Sequence, residues 1–227
     1  MQANYVQRLR LKFSKSGPTR YIGHLDLARA LERALNRAHI PVSYTQGYNP
    51  RPRMQFASAL PLGFTSGGEL ADIWLEETME PAQAREQMME RMAPGIVVHE
   101  VWEVPLSAPA MQASTLETEY LVTFIDPIER EILQERVESL LAAETCMRER
   151  RGKTYDLRPL ILSLTLEDSE EGEVCLRTRL MLKPGKTGRP DELLEALAVD
   201  PLTVRAHRTA IVLEDEARIP ERRTGRG

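Results

Sequence analysis

Apolar and polar residues alternate strictly near the start of the chain. Leu9, Leu11 and Phe13 share one side and Arg8, Arg10 and Lys12 the other, a period of two that predicts a half-buried strand over residues 5–13 with a basic open face. After the turn SKSGP the period lengthens. Leu27, Leu31, Ala34, Leu35 and Ala38 recur at i, i+4, i+7, i+8 and i+11, which predicts an amphipathic helix that Pro41 ends. Its opposite face carries Arg29, Arg33 and Arg37. VSYT reads as a short strand, and RMQFASALPLG and ELADIWLE read as extended segments. EPAQAREQMMERMAPG reads as a helix with Pro81 in its first turn, and IVVHEVWEV as a further strand.

The order β-α-β-β-α-β predicts a ferredoxin-like domain, an antiparallel sheet with helices on one face, over residues 1–104. PLSAPAMQAS, residues 105–114, has the Pro/Ala/Ser composition of a linker. The order then repeats over 115–213: EYLVTFI, REILQERVESLLAA, LILSLTLE, EVCLRTRLML, PDELLEALA and TVRAHRTAIVL. The expected fold class is therefore α+β, two tandem ferredoxin-like domains with antiparallel sheets. The periodicity does not assign CMRERRGKTYDLRP, and the tail 214–227 has too few apolar residues to pack and is expected to be disordered.

Composition narrows the chemistry. Hydrophobic residues make up 42% and charged residues 28%, as in an ordinary globular protein. No apolar run is long enough to cross a bilayer, and the N-terminus lacks a signal-peptide core, so a cytoplasmic location away from membranes is expected. Cys146 and Cys175 are unspaced for metal and the four histidines are scattered, which leaves no case for a metal site or a cofactor. The net charge of −4 is uneven: residues 1–54 hold ten Lys/Arg against two acids, whereas 55–119 hold two against eleven. Overall acidity therefore does not exclude a basic patch.

Residues 13–63, FSKSGPTRYIGHLDLARALERALNRAHIPVSYTQGYNPRPRMQFASALPLG, resemble a bacterial family of unknown function labelled radical SAM-linked, and KTYDLRP at 153–159 resembles a second block of that family. Members stand beside a radical SAM protein or are fused to its C-terminus, so the resemblance implies a radical SAM partner and, as the family has no settled function, carries over no activity. A radical SAM enzyme ligates its cluster with three cysteines, commonly C-x3-C-x2-C. Two cysteines 29 positions apart do not supply that motif, and the chain reads as the companion rather than the enzyme.

The first candidate site gathers Lys15, Arg20, His24, Arg51 and Arg53 with Tyr48 and Asn49. Taking strands one and three as parallel, the Ser14–His24 loop and the loop GYNPRPRM, residues 47–54, are expected at the same end of the sheet. They would form a phosphate clamp beside a helix N-terminus, with Tyr48 placed to stack on a base. Pro50 and Pro52 restrict Asn49 and Arg51 to extended backbone, so less freedom is lost on binding. The competing reading is a rigid, solvated loop without a ligand. Arg29 joins the RNA-binding set, although the Arg29/Arg33/Arg37 stripe also reads as a solvated face. His24 and Asp26 read as a helix cap and a dipole partner. Alternatively His24, with Lys15 and Arg20, is the acid–base group of a metal-independent ribonuclease. Lys153, Asp156 and Arg158 form a possible second site, or else brace a turn.

The leading expectation is a non-catalytic accessory protein that binds RNA, either tRNA or rRNA, for a radical SAM partner. The alternatives are a protein-interaction adaptor for that enzyme, or a ribonuclease using His24.

Overall fold

The computed structural model describes residues 5–169 and 171–214. The expected disorder of the tail falls, beyond Glu214, outside the described residues. The chain is mixed α+β with mostly antiparallel strands and few helices, and it divides into two compact units. Of the described residues, the first takes in those up to Met111 together with Arg205–Ala210, and the second those of Gln112–Val204 together with Ile211–Glu214.

In the first unit β1 (Gln7–Lys15) leads to α1 (His24–Arg37), β2 (Met54–Phe56), β3 (Thr65–Leu75), α2 (Pro81–Met89) and β4 (Ile96–Val104). β1 pairs antiparallel with both β3 and β4, and β2 pairs antiparallel with β3. Strands one and three are thus antiparallel, which corrects the parallel pairing expected from the sequence. Leu9, Leu11 and Phe13 meet Leu27, Leu31 and Leu35 of α1 and Ala84 and Met88 of α2 in one core. This is the stripe that the 3.6-residue period marks, and its burial is the main force holding α1 to the sheet.

The opposite face of β1 is closed at Arg8 and Arg10, while Lys12 stays partly exposed beside Glu100. Arg8 is 2% exposed and donates to Asp72 from Nε at 2.9 Å and from Nη2 at 2.5 Å. Arg10 donates from Nε to the other carboxylate oxygen at 2.8 Å. Arg10 lies directly across from Asp72 in the register, and Arg8 across from Trp74, whose ring its guanidinium covers at 4.9 Å. The stretch read as a linker closes this face: Arg8 donates to the carbonyls of Ala108 and Pro109 at 2.7 and 3.0 Å. A short helix, α3 (Met111–Ser114), follows.

The second unit holds β5 (Thr115–Phe124), α4 (Arg130–Ala142), the hairpin β6 (Met147–Arg150) and β7 (Lys153–Asp156), β8 (Ile161–Asp168), β9 (Val174–Lys183), β10 (Lys186–Thr187) and α5 (Pro190–Ala196). β9 lies antiparallel to β5, β8 and β10. Leu133 and Val137 of α4, Leu164, Leu176 and Leu180 of the sheet, and Leu193 and Leu194 of α5 are buried. Arg177 and Arg179 meet acids within their own unit, Arg177 pairing with Glu167 at 2.6 Å and Arg179 with Glu117 at 2.5 Å.

The last strand, β11 (Val204–Leu213), is divided between the units. Its His207 and Arg208 pair parallel with Thr65 and Ser66 of β3, and Arg208 donates to both oxygens of Glu69 at 2.7 and 2.5 Å. Both side chains of that pair are 1% exposed. Gly68 permits the approach, since a Cβ there would lie 2.5 Å from the Thr209 carbonyl oxygen.

Candidate functional site

The residues expected to form one clamp in the first unit lie at opposite ends of β1. Lys15 closes the strand, and the Gly17–Tyr21 turn and α1 follow it. Arg53 instead stacks on Tyr5 at 4.7 Å and on Trp74 at 5.3 Å. Trp74 faces Arg8, seven residues before Lys15, or roughly 23 Å along an extended strand. The cause is the position of β2. Met54–Phe56 pairs with β3 only after the GYNPRPRM stretch, which is therefore an excursion within the second strand rather than the connection to the third. That connection, 57–64, is what meets the Gly17–Tyr21 turn, through the Gly63 amide and the Arg20 carbonyl at 2.9 Å.

The excursion is pinned at its base. The Thr45 amide donates to the Arg51 carbonyl at 2.8 Å, and the Arg51 amide donates back to the Thr45 hydroxyl at 3.0 Å. Tyr48 at the tip is fully exposed, Asn49 and Arg51 are exposed, and the Arg51 guanidinium stands 3.9 Å from Glu32.

Lys15 is 1% exposed and faces inward, its ammonium donating to the Ile22 carbonyl at 3.0 Å. Burial holds its pKa below the ordinary lysine value. Arg20 stacks on its neighbour Tyr21 at 4.6 Å, and Arg29 pairs with Asp26 at 3.1 Å. His24 is the first residue of α1, with its ring edge against Phe56 at 4.9 Å and its Nδ1 buried without a hydrogen-bond partner. The N-cap position itself is Gly23, and burial lowers the His24 pKa.

A different site stands out in the second unit. A cleft of about 570 Å³ is lined by Arg150, Lys153, Tyr155, Asp156, Pro159, Leu160, Met181, Gly185, Lys186, Thr187 and Arg189. One wall is the hairpin β6–β7, the stretch that periodicity leaves unassigned. Two arginines tie it to α5: Arg150 donates to Asp191 and Glu192, both at 3.1 Å, and Arg148 pairs with Glu192 at 3.4 Å and with Glu195. The Asp191 hydrogen bond raises the pKa of Arg150 further. Gly188 donates to the Met181 carbonyl at 2.8 Å and lies so close to Leu160 that a Cβ there would come within 2.8 Å of its carbonyl oxygen. That approach sets Lys186 and Arg189 at the rim.

Of the second family block, Asp156 and Arg158 brace this architecture. One Asp156 oxygen accepts from the amides of Cys146 at 2.7 Å and Arg158 at 3.0 Å. The Arg158 guanidinium donates to the Leu141 and Ile161 carbonyls. Lys153, by contrast, is exposed at the cleft. Among the described residues Lys153, Lys186 and Arg189 have no acidic partner, whereas Arg150 has two. The Tyr155 hydroxyl is buried without a well-formed hydrogen bond, and burial, helped by the nearby Glu192 carboxylate, pushes its pKa up to about 12. It stays protonated at neutral pH.

Sequence reasoning missed Arg150, Lys186 and Arg189. The signal available for two of them is KPGKTGRP at 183–190, a basic turn with glycines at both bends. Chemically, three uncompensated cations above an apolar floor suit an anion that also presents an apolar surface.

No curated protein matches the chain in sequence. Among solved structures it is similar to the archaeal box H/ACA sRNP Nop10-Cbf5 complex, with 8% identity, a TM-score of 0.44 and coverage of 91% of this chain and 47% of that one. An H/ACA RNP bound to a substrate RNA containing 2'-deoxyuridine matches at 8% and 0.45, over 91% and 47%. A Cbf5-Nop10-Gar1 complex matches at 8% and 0.49, over 91% and 50%. The chain spans about half the length of these three solved chains, and likeness at these scores carries no argument about function. The family match is of another order: residues 8–190, which include both loops of the first unit and every residue named as lining the cleft, place the chain in the bacterial family described as "Uncharacterized protein conserved in bacteria (DUF2344)".

Proposed function

We propose that this chain is a non-catalytic RNA-binding accessory protein serving a radical SAM enzyme, with tRNA or rRNA as the RNA. The observation that carries the reading is the convergence of Lys153, Lys186 and Arg189, none with an acidic partner among the described residues, on one cleft. Cations already paired inside a protein have little left to offer a phosphate, and these three are unspent. Tyr48 and Asn49, exposed on the pinned excursion, supply a second contact of a neutral kind, beside an Arg51 that already faces Glu32. The radical SAM partner rests on the resemblance of residues 13–63 and 153–159. Each unit is read as ferredoxin-like; in the first, the strand order β2-β3-β1-β4 with antiparallel neighbours supports that reading.

Filter binding of tRNA across a salt series tests the function. Replacing Lys153, Lys186 and Arg189 together by alanine should weaken binding and reduce the log–log salt slope by about one per cation removed. Unchanged affinity and slope would remove the cleft from RNA recognition. A second reading, an adaptor for the enzyme, is favoured by the exposed side chains Tyr21, Leu25 and Leu62, on segments joined by the Gly63–Arg20 hydrogen bond. It predicts that the unaltered chain co-purifies with the radical SAM protein and has no salt-sensitive RNA affinity in isolation, and that Leu25→Ser with Leu62→Ser abolishes the co-purification.

A further inference from the structure

The cleft has two chemistries in one cavity. Cations come from the hairpin at Lys153 and from the 185–189 turn at Lys186 and Arg189, while Pro159, Leu160 and Met181 supply apolar surface and Tyr155 an aromatic ring. A bare phosphate or a duplex backbone would satisfy the cations and leave the apolar surface and the ring unused. A purely apolar ligand would bury three cations without partners, which is strongly unfavourable. The ligand that satisfies both carries a planar ring and an anion a few bonds apart. The volume lies within the range of roughly 300–1,000 Å³ found for small-ligand clefts.

The hairpin wall is also preorganised. Arg150 holds it to Asp191 and Glu192, and Asp156 fixes its return strand through the Cys146 and Arg158 amides. With both its ring wall and its 185–189 turn held in place, the cleft has little ordering left to do on binding, which favours affinity.

We propose that the cleft seats one unpaired nucleotide, its base against Tyr155, Leu160 and Met181 and its phosphate on Lys153, Lys186 and Arg189. This rests on the RNA reading above and makes single-stranded rather than duplex RNA the ligand of this site. Base–aromatic contacts of this kind are sequence-tolerant and change affinity by about tenfold or more.

The test is fluorescence anisotropy with the full chain and three RNAs of equal length: a single strand, the same strand with every base removed, and a blunt duplex. The single strand should bind at least about tenfold tighter than the abasic strand and than the duplex, and Tyr155→Leu should erase that advantage. The abasic comparison uses the unaltered protein, so it stands even if the Tyr155 variant folds poorly. If intact and abasic strands bind equally while Lys186→Ala/Arg189→Ala still weakens both, the base pocket is wrong and phosphate binding survives. If none of the RNAs binds, the RNA reading falls and takes this inference with it. If 5′-UMP alone binds as tightly as the oligonucleotide, the base pocket stands and its ligand is a free nucleotide instead of RNA.

Discussion

Arg8, Arg10 and Arg208 of the first unit and Lys153, Lys186 and Arg189 of the second are the same kinds of side chain in opposite circumstances. The first three are buried, and each is matched to a carboxylate on a neighbouring strand: Asp72 stands across from Arg10, and Glu69 accepts both arms of Arg208. The second three lie at a cleft rim with no acid set against them. The lesson is that positive charge counted along a chain is not positive charge available to a ligand. A strand register that sets one aspartate across from one arginine and within reach of a second converts two conspicuous basic positions into internal structure. A buried ion pair of this sort gives little net stability over an apolar replacement, yet breaking it leaves a charge stranded.

That contrast can be attacked at several points. The largest effect should come from Asp72→Asn, which leaves two buried guanidiniums without a counter-ion. Urea unfolding should show a loss of about 3–5 kcal/mol, and a loss below about 1 kcal/mol, the scale of an exposed pair, would mean that this face admits water. Next is Gly188→Ala, where the added methyl meets the Leu160 carbonyl oxygen and, at 3.1 Å, the Leu180 side chain. A loss of about 1–3 kcal/mol is expected, together with weaker RNA binding as Lys186 and Arg189 move; unaltered stability and affinity would show that the turn yields freely.

A smaller effect is pH dependence in the first unit. Burial holds His24 and His207 below their ordinary 6.5, so the unfolded chain takes up protons first as the pH falls. Stability is complete above that value and declines as the pH drops through it toward the lower folded pKa values. Glu69, which faces both imidazoles, opposes the shift, and Lys15 and Arg208 reinforce it at His24. Melting temperatures should therefore fall on acidification, with a flatter profile in His207→Gln; a parallel profile would exclude His207 as a source. Least of all, alanine at Lys153, Lys186 or Arg189 should change stability by within about 0.5 kcal/mol, since none of them holds anything in place. A larger loss in a thermal melt would reclassify that side chain as structural.

Local patterns in the sequence were readable where a segment's own periodicity decides its fate. The 3.6-residue stripe marks α1, and the alternation of β1 marks Leu9, Leu11 and Phe13 as core. The same alternation places Arg8 and Arg10 on the other face but cannot tell whether that face is open. The answer depends on Asp72 and on the carbonyls of Ala108 and Pro109, 62 to 101 residues away. The proline arm failed differently. Its stiffness was legible, but its place depended on Met54–Phe56 forming the paired part of the second strand, a three-residue strand too short for any period to show. The cleft eluded pattern reading because its cations come from a hairpin and a turn, which have no repeat. Only Lys153 and Asp156, in the second family block, pointed toward it.

The pairing of Glu69 with Arg208 spans 139 residues. At roughly 5–20 residues per second of synthesis, about 7–28 s pass between the appearance of the acid on the ribosome and that of its partner. Throughout that interval the first unit lacks the segment Arg205–Ala210 that lies along β3, and Glu69 has no guanidinium to meet. The part of the chain made first is therefore completed only when nearly all of the chain has been made, and a nascent chain halted before Arg208 exposes an unpaired strand edge together with an unmatched acid, the kind of surface on which chaperones and proteases act.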